Sequence, residues 1–222
     1  MITASNTQEL IQTVEQATSA EALFQAVRTL AATGDEAAIP TLITVLGYNN
    51  PGAAVAAVDG LVQFAQKAVP HLLTKLDGYD YGARAWAIRA LSKIGDPQAL
   101  DTLLEAAASD FALSVRRAAA KGLGSIQWDL LPDAEVQEAQ QKTLKTLLQV
   151  SNDPEWVVRY AAIVGLQGLG EIIDQSQSGW MEQISAQLQK IQDNDEEITL
   201  RARAQLAQGQ LTRIVEPDRA IA

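Results

Sequence analysis

Five stretches of the chain repeat one another. AVRTLAATGD (26–35), AVDGLVQFAQ (57–66), AIRALSKIGD (87–96), AAKGLGSIQW (119–128) and AIVGLQGLGE (162–171) superpose on a leucine preceded by a small residue, and ARAQLAQGQL (202–211) is a weaker sixth copy. No other feature restricts the fold as much. A unit this short cannot cover its own apolar face, so the copies are stable only when stacked on one another. The first four recur about every 31 residues; between the last three the interval grows to about 42, with the added residues at 127–138 and 174–179.

Within each copy small residues stand three or four apart with Leu or Ile between them, the spacing of a helix face built for close approach. A second amphipathic segment precedes each copy, as in IPTLITVLG (39–47), VPHLLTKLDG (69–78), ALDTLLEAA (99–107) and TLKTLLQVSND (143–153). The copies are predicted to be inner helices and the preceding segments their outer partners. Gly34-Asp35 and Gly95-Asp96 each offer a helix-ending glycine and an N-cap aspartate, and Thr18 to Glu21 and Asn6 to Glu9 match capping boxes. Pro40, Pro70 and Pro97 fall at or near the first turn of outer helices, where the missing N–H costs little. Nothing alternates with period two long enough to make a strand. The pattern predicts an all-α solenoid of about five to six helix pairs in a single repeat domain over 1–222, with an N-terminal cap helix at 1–18, repeats over 19–213 and a flexible tail at 214–222.

About 47% of the 222 residues are apolar, enough for a core without staples. Cysteine is absent, which excludes disulfides, thiolate metal sites and a covalent intermediate on this chain's own sulfur. The start, MITASNTQELIQTVEQATS, has neither a basic opening nor a continuous apolar core, and no stretch nears the roughly 20 apolar residues of a membrane span, so a cytoplasmic protein without membrane insertion is expected. A net charge of −10 repels phosphate backbones and argues against nucleic-acid binding. His71, the one histidine, reads as an ordinary residue of an outer helix; with no cysteine beside it, no metal is expected. No phosphate-binding glycine loop follows a strand, and the glycines of GLGSI and GLQGLG fall in the helix-packing register. The acidic run DNDEE at 193–197 reads as a solvated connection in which Asp195 or a neighbour caps the last helix. WDLLPD at 128–133 is either a local cap on the solenoid or, through Trp128, part of a partner surface.

Over about residues 20–213 these units resemble HEAT-like repeats, right-handed α-α superhelices of stacked helix pairs, and more narrowly their short bacterial variant. In such units an arginine six residues before the inner-helix pair reaches an acid of a neighbouring turn. Arg84, Arg116 and Arg159 occupy that place, with Arg201 in the weaker last copy, and Asp80, Asp110 and Asp153 are the candidate partners. Paired, partly buried charges of this kind serve specificity of stacking. Arg84 differs in its company, since Tyr79, Tyr81 and Trp86 crowd around it, so a ladder role and a ligand site both stay open for it. Arg89 is read as having no basic counterpart in the copies at 116–123 and 159–166, and as solvated or partner-facing.

Residues 79–128, with the patterns YDYGARAWAIRAL, GDPQALD and DFALSVRRAAAKGLG, resemble the HEAT-like E/F-type bilin lyases of cyanobacteria. The short length is similar to that of the smaller, F-type subunits. The resemblance implies a heterodimer with a longer E-type partner, phycocyanobilin as substrate with no cofactor of the chain's own, and the phycocyanin alpha subunit as acceptor. It implies a thioether formed at an acceptor cysteine. Isomerising members of the family carry a His-Cys motif that this chain lacks, which implies ligation without double-bond migration. On this reading Tyr79, Tyr81 and Trp86 stack on pyrrole rings, Arg84 meets a propionate, and Asp77 or Asp80 serves the ring nitrogens as catalytic acid or base. A non-catalytic HEAT-like scaffold or chaperone of phycobiliproteins is the alternative, and an interaction module unrelated to bilins is a third reading.

Overall fold

The computed structural model describes residues 4–76, 80–173 and 178–215. Among them every regular element is helical, and the chain gathers into two compact units, Met1–Ala99 and Leu100–Ala222. The first unit holds α1 (Ala4–Glu15), α2 (Ala20–Ala31), α3 (Ile39–Val45), α4 (Pro51–Gln63), α5 (Val69–Leu73) and α6 (Tyr81–Ile94). The second holds α7 (Leu100–Ser109), α8 (Leu113–Leu123), α9 (Asp133–Val150), α10 (Trp156–Gly170), α11 (Ser178–Asn194) and α12 (Ile198–Val215). Even-numbered helices are the repeated copies, so the described chain makes six outer–inner pairs, three in each unit.

In the first unit α2, α4 and α6 pack side by side. Val27, Leu30, Ala57, Leu61, Ile88 and Leu91 are at most 1% exposed, so the face with small residues and Leu or Ile is the buried one. The helices approach closely because of that face: a Cβ on Gly60 would come within 2.6 Å of the Ala31 Cβ. Three turns share one backbone device. Gly34 and Gly95 adopt φ of 68° and 71°, and Ala65, at the same place in the intervening copy, is forced to φ 49° despite its Cβ. The repeat geometry overrides a local preference worth about 1–2 kcal/mol. Asp35 and Asp96 then accept the Ala37 and Gln98 N–H groups, as the sequence predicts. Two expected caps differ: Ser19 rather than Thr18 accepts the Ala22 N–H, and Asn6 lies inside α1 rather than before it. Serine here is one residue nearer the first turn, within reach of the orphan donor.

In the second unit α8, α10 and α12 are likewise neighbours. The longer repeat interval is taken up mainly by outer helices: α9 and α11 run 18 and 17 residues, against 10 in α7. Gly124, Gly165 and Gly168 bring α8 against α10, since a Cβ on Gly165 would lie 2.5 Å from the Ala120 carbonyl oxygen. Trp128 begins a short 3-10 turn and is only 9% exposed, which corrects the reading in which it offers a partner surface and leaves that of a local cap, while Leu130, at 40%, is exposed. The sixth copy is also displaced. Leu206 is 55% exposed while Leu200, Ala204, Ala207 and Leu211 are buried, so Ala207-Gln208 takes the place assigned to Gln205-Leu206. Helix α12 continues to Val215, and residues 216–222 of the expected tail lie outside the described residues.

Candidate functional site

Two different arrangements of arginine mark the inner helices. In the second unit Arg116 Nε and Nη2 donate to Asp153 at 2.8 and 3.2 Å, and Nη1 donates to the carbonyls of Asp110 and Phe111. One repeat on, Arg159 Nε and Nη2 donate to Asp195 at 2.9 and 3.0 Å, and Nη1 to the carbonyls of Asp153 and Pro154. Arg201 Nη1 donates to the Asp195 carbonyl at 3.2 Å, six residues back as in the other two. Each aspartate also holds its own turn, Asp153 accepting from Glu155 N–H and Asp195 from Glu197 N–H. The ladder is therefore real, with its members corrected. Asp153 is a side-chain partner, Asp110 contributes its carbonyl to Arg116, and Asp195, expected only to cap, is the carboxylate of Arg159. A single acid in DNDEE satisfies both roles because both its oxygens accept from Arg159 while Oδ1 also accepts the Glu197 N–H.

These pairs are well shielded, with side chains 10–13% exposed. Burial pushes the Asp195 carboxyl up, but the hydrogen bonds from Arg159 and from the Glu197 N–H, with the charges of Arg159 and Arg201, outweigh it and hold the group below the usual carboxylate range. The Asp195 hydrogen bonds in turn hold the Arg159 guanidinium above its ordinary value.

The first unit uses arginine differently. Among the residues singled out from sequence, Asp77 and Tyr79 lie outside the described residues. Asp80 is the N-cap of α6: its Oδ1 accepts the Ala83 N–H at 3.0 Å, and its other oxygen lies over Gly47, where a Cβ would come within 3.2 Å. Tyr81, the first residue of α6, is 46% exposed, and the half-buried Arg84 lies over its ring, 5.2 Å from the centroid. Half-buried Trp86 carries the Arg89 guanidinium 4.3 Å from its ring centroid. Tyr81, Arg84 and Trp86 are thus brought together on the first two turns of one helix, with Asp80 at its mouth.

Sequence reasoning missed a row beside them. Arg28, Asp59 and Arg89 are the third residues of AVR, AVD and AIR, one on each of α2, α4 and α6, and all three are exposed. Arg28 lies over Phe24 at 5.5 Å, and Asp59 accepts from Lys93 Nζ at 2.8 Å. Between α2 and α4 runs a groove of about 450 Å³ walled by Phe24 and Val55, with Ala31 and Gly60 beneath and Arg28 and Asp59 beside it. Lys121 holds the same place in AAKGL, so Arg89 does have a basic counterpart, contrary to the reading made from the copies. The signal was present in a column of the repeat that is neither apolar nor small.

HEAT repeats match residues 53–124 and 69–167, and the PBS lyase HEAT-like repeat matches residues 22–48. Phycocyanin alpha phycocyanobilin lyase CpcF of Synechocystis sp. is 61% identical over 164 residues, 74% of this chain and 77% of that protein. Phycocyanobilin lyase subunit beta of Nostoc sp. is 54% identical over 204 residues, 92% of this chain and all of that protein. Among solved structures, the complex of CpcE and CpcF of phycocyanin lyase from Nostoc sp. contains a chain 56% identical to this one, with a TM-score of 0.72 over 78% of this chain and 99% of that one. With six helix pairs of HEAT type and this likeness over nearly its whole length, the chain belongs to the HEAT-like family of phycocyanobilin lyase subunits, in its CpcF or beta branch.

Proposed function

We infer that this chain is the F-type subunit of a heterodimeric phycocyanobilin lyase. With an E-type partner it attaches phycocyanobilin through a thioether to a cysteine of the phycocyanin alpha subunit, without isomerisation, and works in the cytoplasm. The carrying observation is the 54% identity that spans the entire Nostoc beta subunit. No helix among the described residues is long and apolar enough to cross a membrane. Phycocyanobilin is the substrate, and the chain needs no cofactor of its own for the chemistry.

In the reaction the acceptor sulfur adds to the ethylidene carbon of the bilin. One S–C bond forms, the thiol proton ends on the bilin, and nothing leaves. This chain has no cysteine, so the sulfur is the acceptor's. What remains for the lyase is to hold a long conjugated molecule in one orientation and to manage one proton, where positioning supplies most of the acceleration. The mouth of α6 suits that task. Tyr81 offers an exposed ring, Arg84 a guanidinium one turn on, and Trp86 a second, half-buried ring beside Arg89. Tyr79, next to this turn in sequence, adds a third ring to the proposal. Asp80, or Asp77 just before it, is the candidate proton carrier; Asp80 uses one oxygen as a helix cap and keeps the other.

Co-expression of the chain with an E-type subunit, the alpha-subunit acceptor and phycocyanobilin tests both levels. Covalent adduct that depends on this chain is the expected result for the wild type. Yields reduced about tenfold or more are expected for Arg84→Ala and Tyr81→Ala; wild-type yield from both removes the α6 assignment and leaves the lyase assignment intact.

A further inference from the structure

We propose that Leu113, Trp156 and Ile198, the first residues of α8, α10 and α12, form an apolar edge of the second unit on which the acceptor, the phycocyanin alpha subunit, docks during transfer. This rests on the lyase reading and deepens it: the mouth of α6 is argued for the bilin, and this edge for the protein that receives it.

Each of the three stands three residues before a ladder arginine, Arg116, Arg159 or Arg201. Helices α8, α10 and α12 pack side by side, and the ladder fastens their starts, since Arg116 reaches Asp153 just before α10 and Arg159 reaches Asp195 just before α12. Packed helices lie about 8–10 Å apart, so the three residues fall in a row along that edge. Leu113 is 44% exposed, Trp156 45% and Ile198 70%, and Phe111, two residues before Leu113, is 64% exposed. Helix formation asks for none of them. The first turn favours acids, prolines and small polar residues, and a β-branched or aromatic side chain there adds nothing to helix stability. At the start of α2 and α4 stand Ala20 and Pro51, so the repeat does not demand a large apolar residue at this place.

The size of the patch selects the kind of partner. Four large apolar side chains at these exposures show on the order of 400 Å², enough to mark an interaction site on a single chain. A lasting complex buries about 800 Å² on each partner, so this edge by itself suits a contact made and released once per turnover. An acceptor must leave with its chromophore; on the lyase reading the E-type subunit stays. Charge narrows the choice further. Glu155 and Glu196, both exposed, precede Trp156 and Ile198 by one and two residues. A second copy of the chain would set these acids against their own kind, which like-charge repulsion disfavours. The surface that fits is apolar at its centre and carries lysine or arginine at its rim.

The test uses the purified complex with the E-type subunit, reading its binding to bilin-free alpha subunit by surface plasmon resonance and the dependence of adduct formation on acceptor and on phycocyanobilin. Trp156→Ala should weaken acceptor binding about tenfold, and Ile198→Asp, which sets a charge in the row at an exposed position, should do the same. Both should raise the acceptor KM by a similar factor while leaving kcat and the KM for phycocyanobilin near wild type, a split that damage to the fold or to the bilin site would not give. Glu155→Gln should slow association and flatten its dependence on salt. Wild-type acceptor binding in both Trp156→Ala and Ile198→Asp overturns the proposal. So does loss of the E-type subunit from either variant on size exclusion, which makes the edge the heterodimer contact, or a wild-type self-association that either variant abolishes, which makes it a contact between copies. Absence of adduct from the wild-type complex, with acceptor binding still lost in the variants, removes the lyase reading and leaves the docking edge standing.

Discussion

The arginines of the two units are the same residue put to opposite uses. In the second unit Arg116 is half-buried and Arg159 buried, each bonded bidentately to a carboxylate of the next turn and to two carbonyls of its own. In the first, Arg28 and Arg89 are exposed and laid across aromatic rings. What separates them is how far the stack encloses them. A guanidinium whose N–H groups are engaged by a carboxylate and two carbonyls within the stack holds repeats in place, whereas one laid on a ring at the surface stays in contact with water. The difference teaches that position along the repeat decides the role: the ladder stands at the start of each inner helix, and the exposed row stands at its middle.

Breaking the ladder should have the largest effect. Arg159→Ala leaves Asp195 buried without its partner and should cost about 3 kcal/mol or more in chemical denaturation, with Asp195→Ala in the same chain recovering part of it. A loss below about 1 kcal/mol would make the ladder no stronger than a surface pair.

Acid should expose the same dependence more gently. Because Asp195 is held below its ordinary value of 3.8 in the folded protein, its contribution is fully present above that pH and drains away as the pH falls through the lower folded value. Denaturation midpoints measured down that range should fall more for the wild type than for Asp195→Asn. Parallel curves would mean that the carboxylate gains nothing from its setting.

The smallest effect on folding sharpens the contrast. Arg28→Ala should change stability by no more than about 0.5 kcal/mol in the same denaturation measurement, because an exposed guanidinium on a ring is a minor contact. A stability loss comparable to that of Arg159→Ala would erase the distinction between the two units.

Much of this was legible before any coordinates. Arg116 and Arg159 could be assigned to a ladder from their shared register together with the resemblance to HEAT-like units, and the glycines of GLQGLG to close packing, because both recur at one place in the unit. Asp195 was harder: in DNDEE three other acids share its chemistry, and only the approach of α10 to the following turn selects the one that meets Arg159. Trp128 stayed open between two readings for a related reason, since an aromatic residue beside a turn reads alike whether its ring turns in or out. The last copy slipped by two residues because Leu206 looks like a core leucine and is not one. At the mouth of α6 the cluster of Tyr81, Arg84 and Trp86 was visible as composition, but the stacking of Arg89 on Trp86 was not.

By itself the sequence determined that the chain is helical and repeated, and which family it resembles, since apolar spacing, caps and motif identity are local properties of residues in order. Tertiary structure alone decided which charges are spent inside the stack and which stay exposed. That choice depends on the distance from a side chain to a neighbouring repeat, about 36 residues away for Arg159 and Asp195, and on how much water the neighbour excludes.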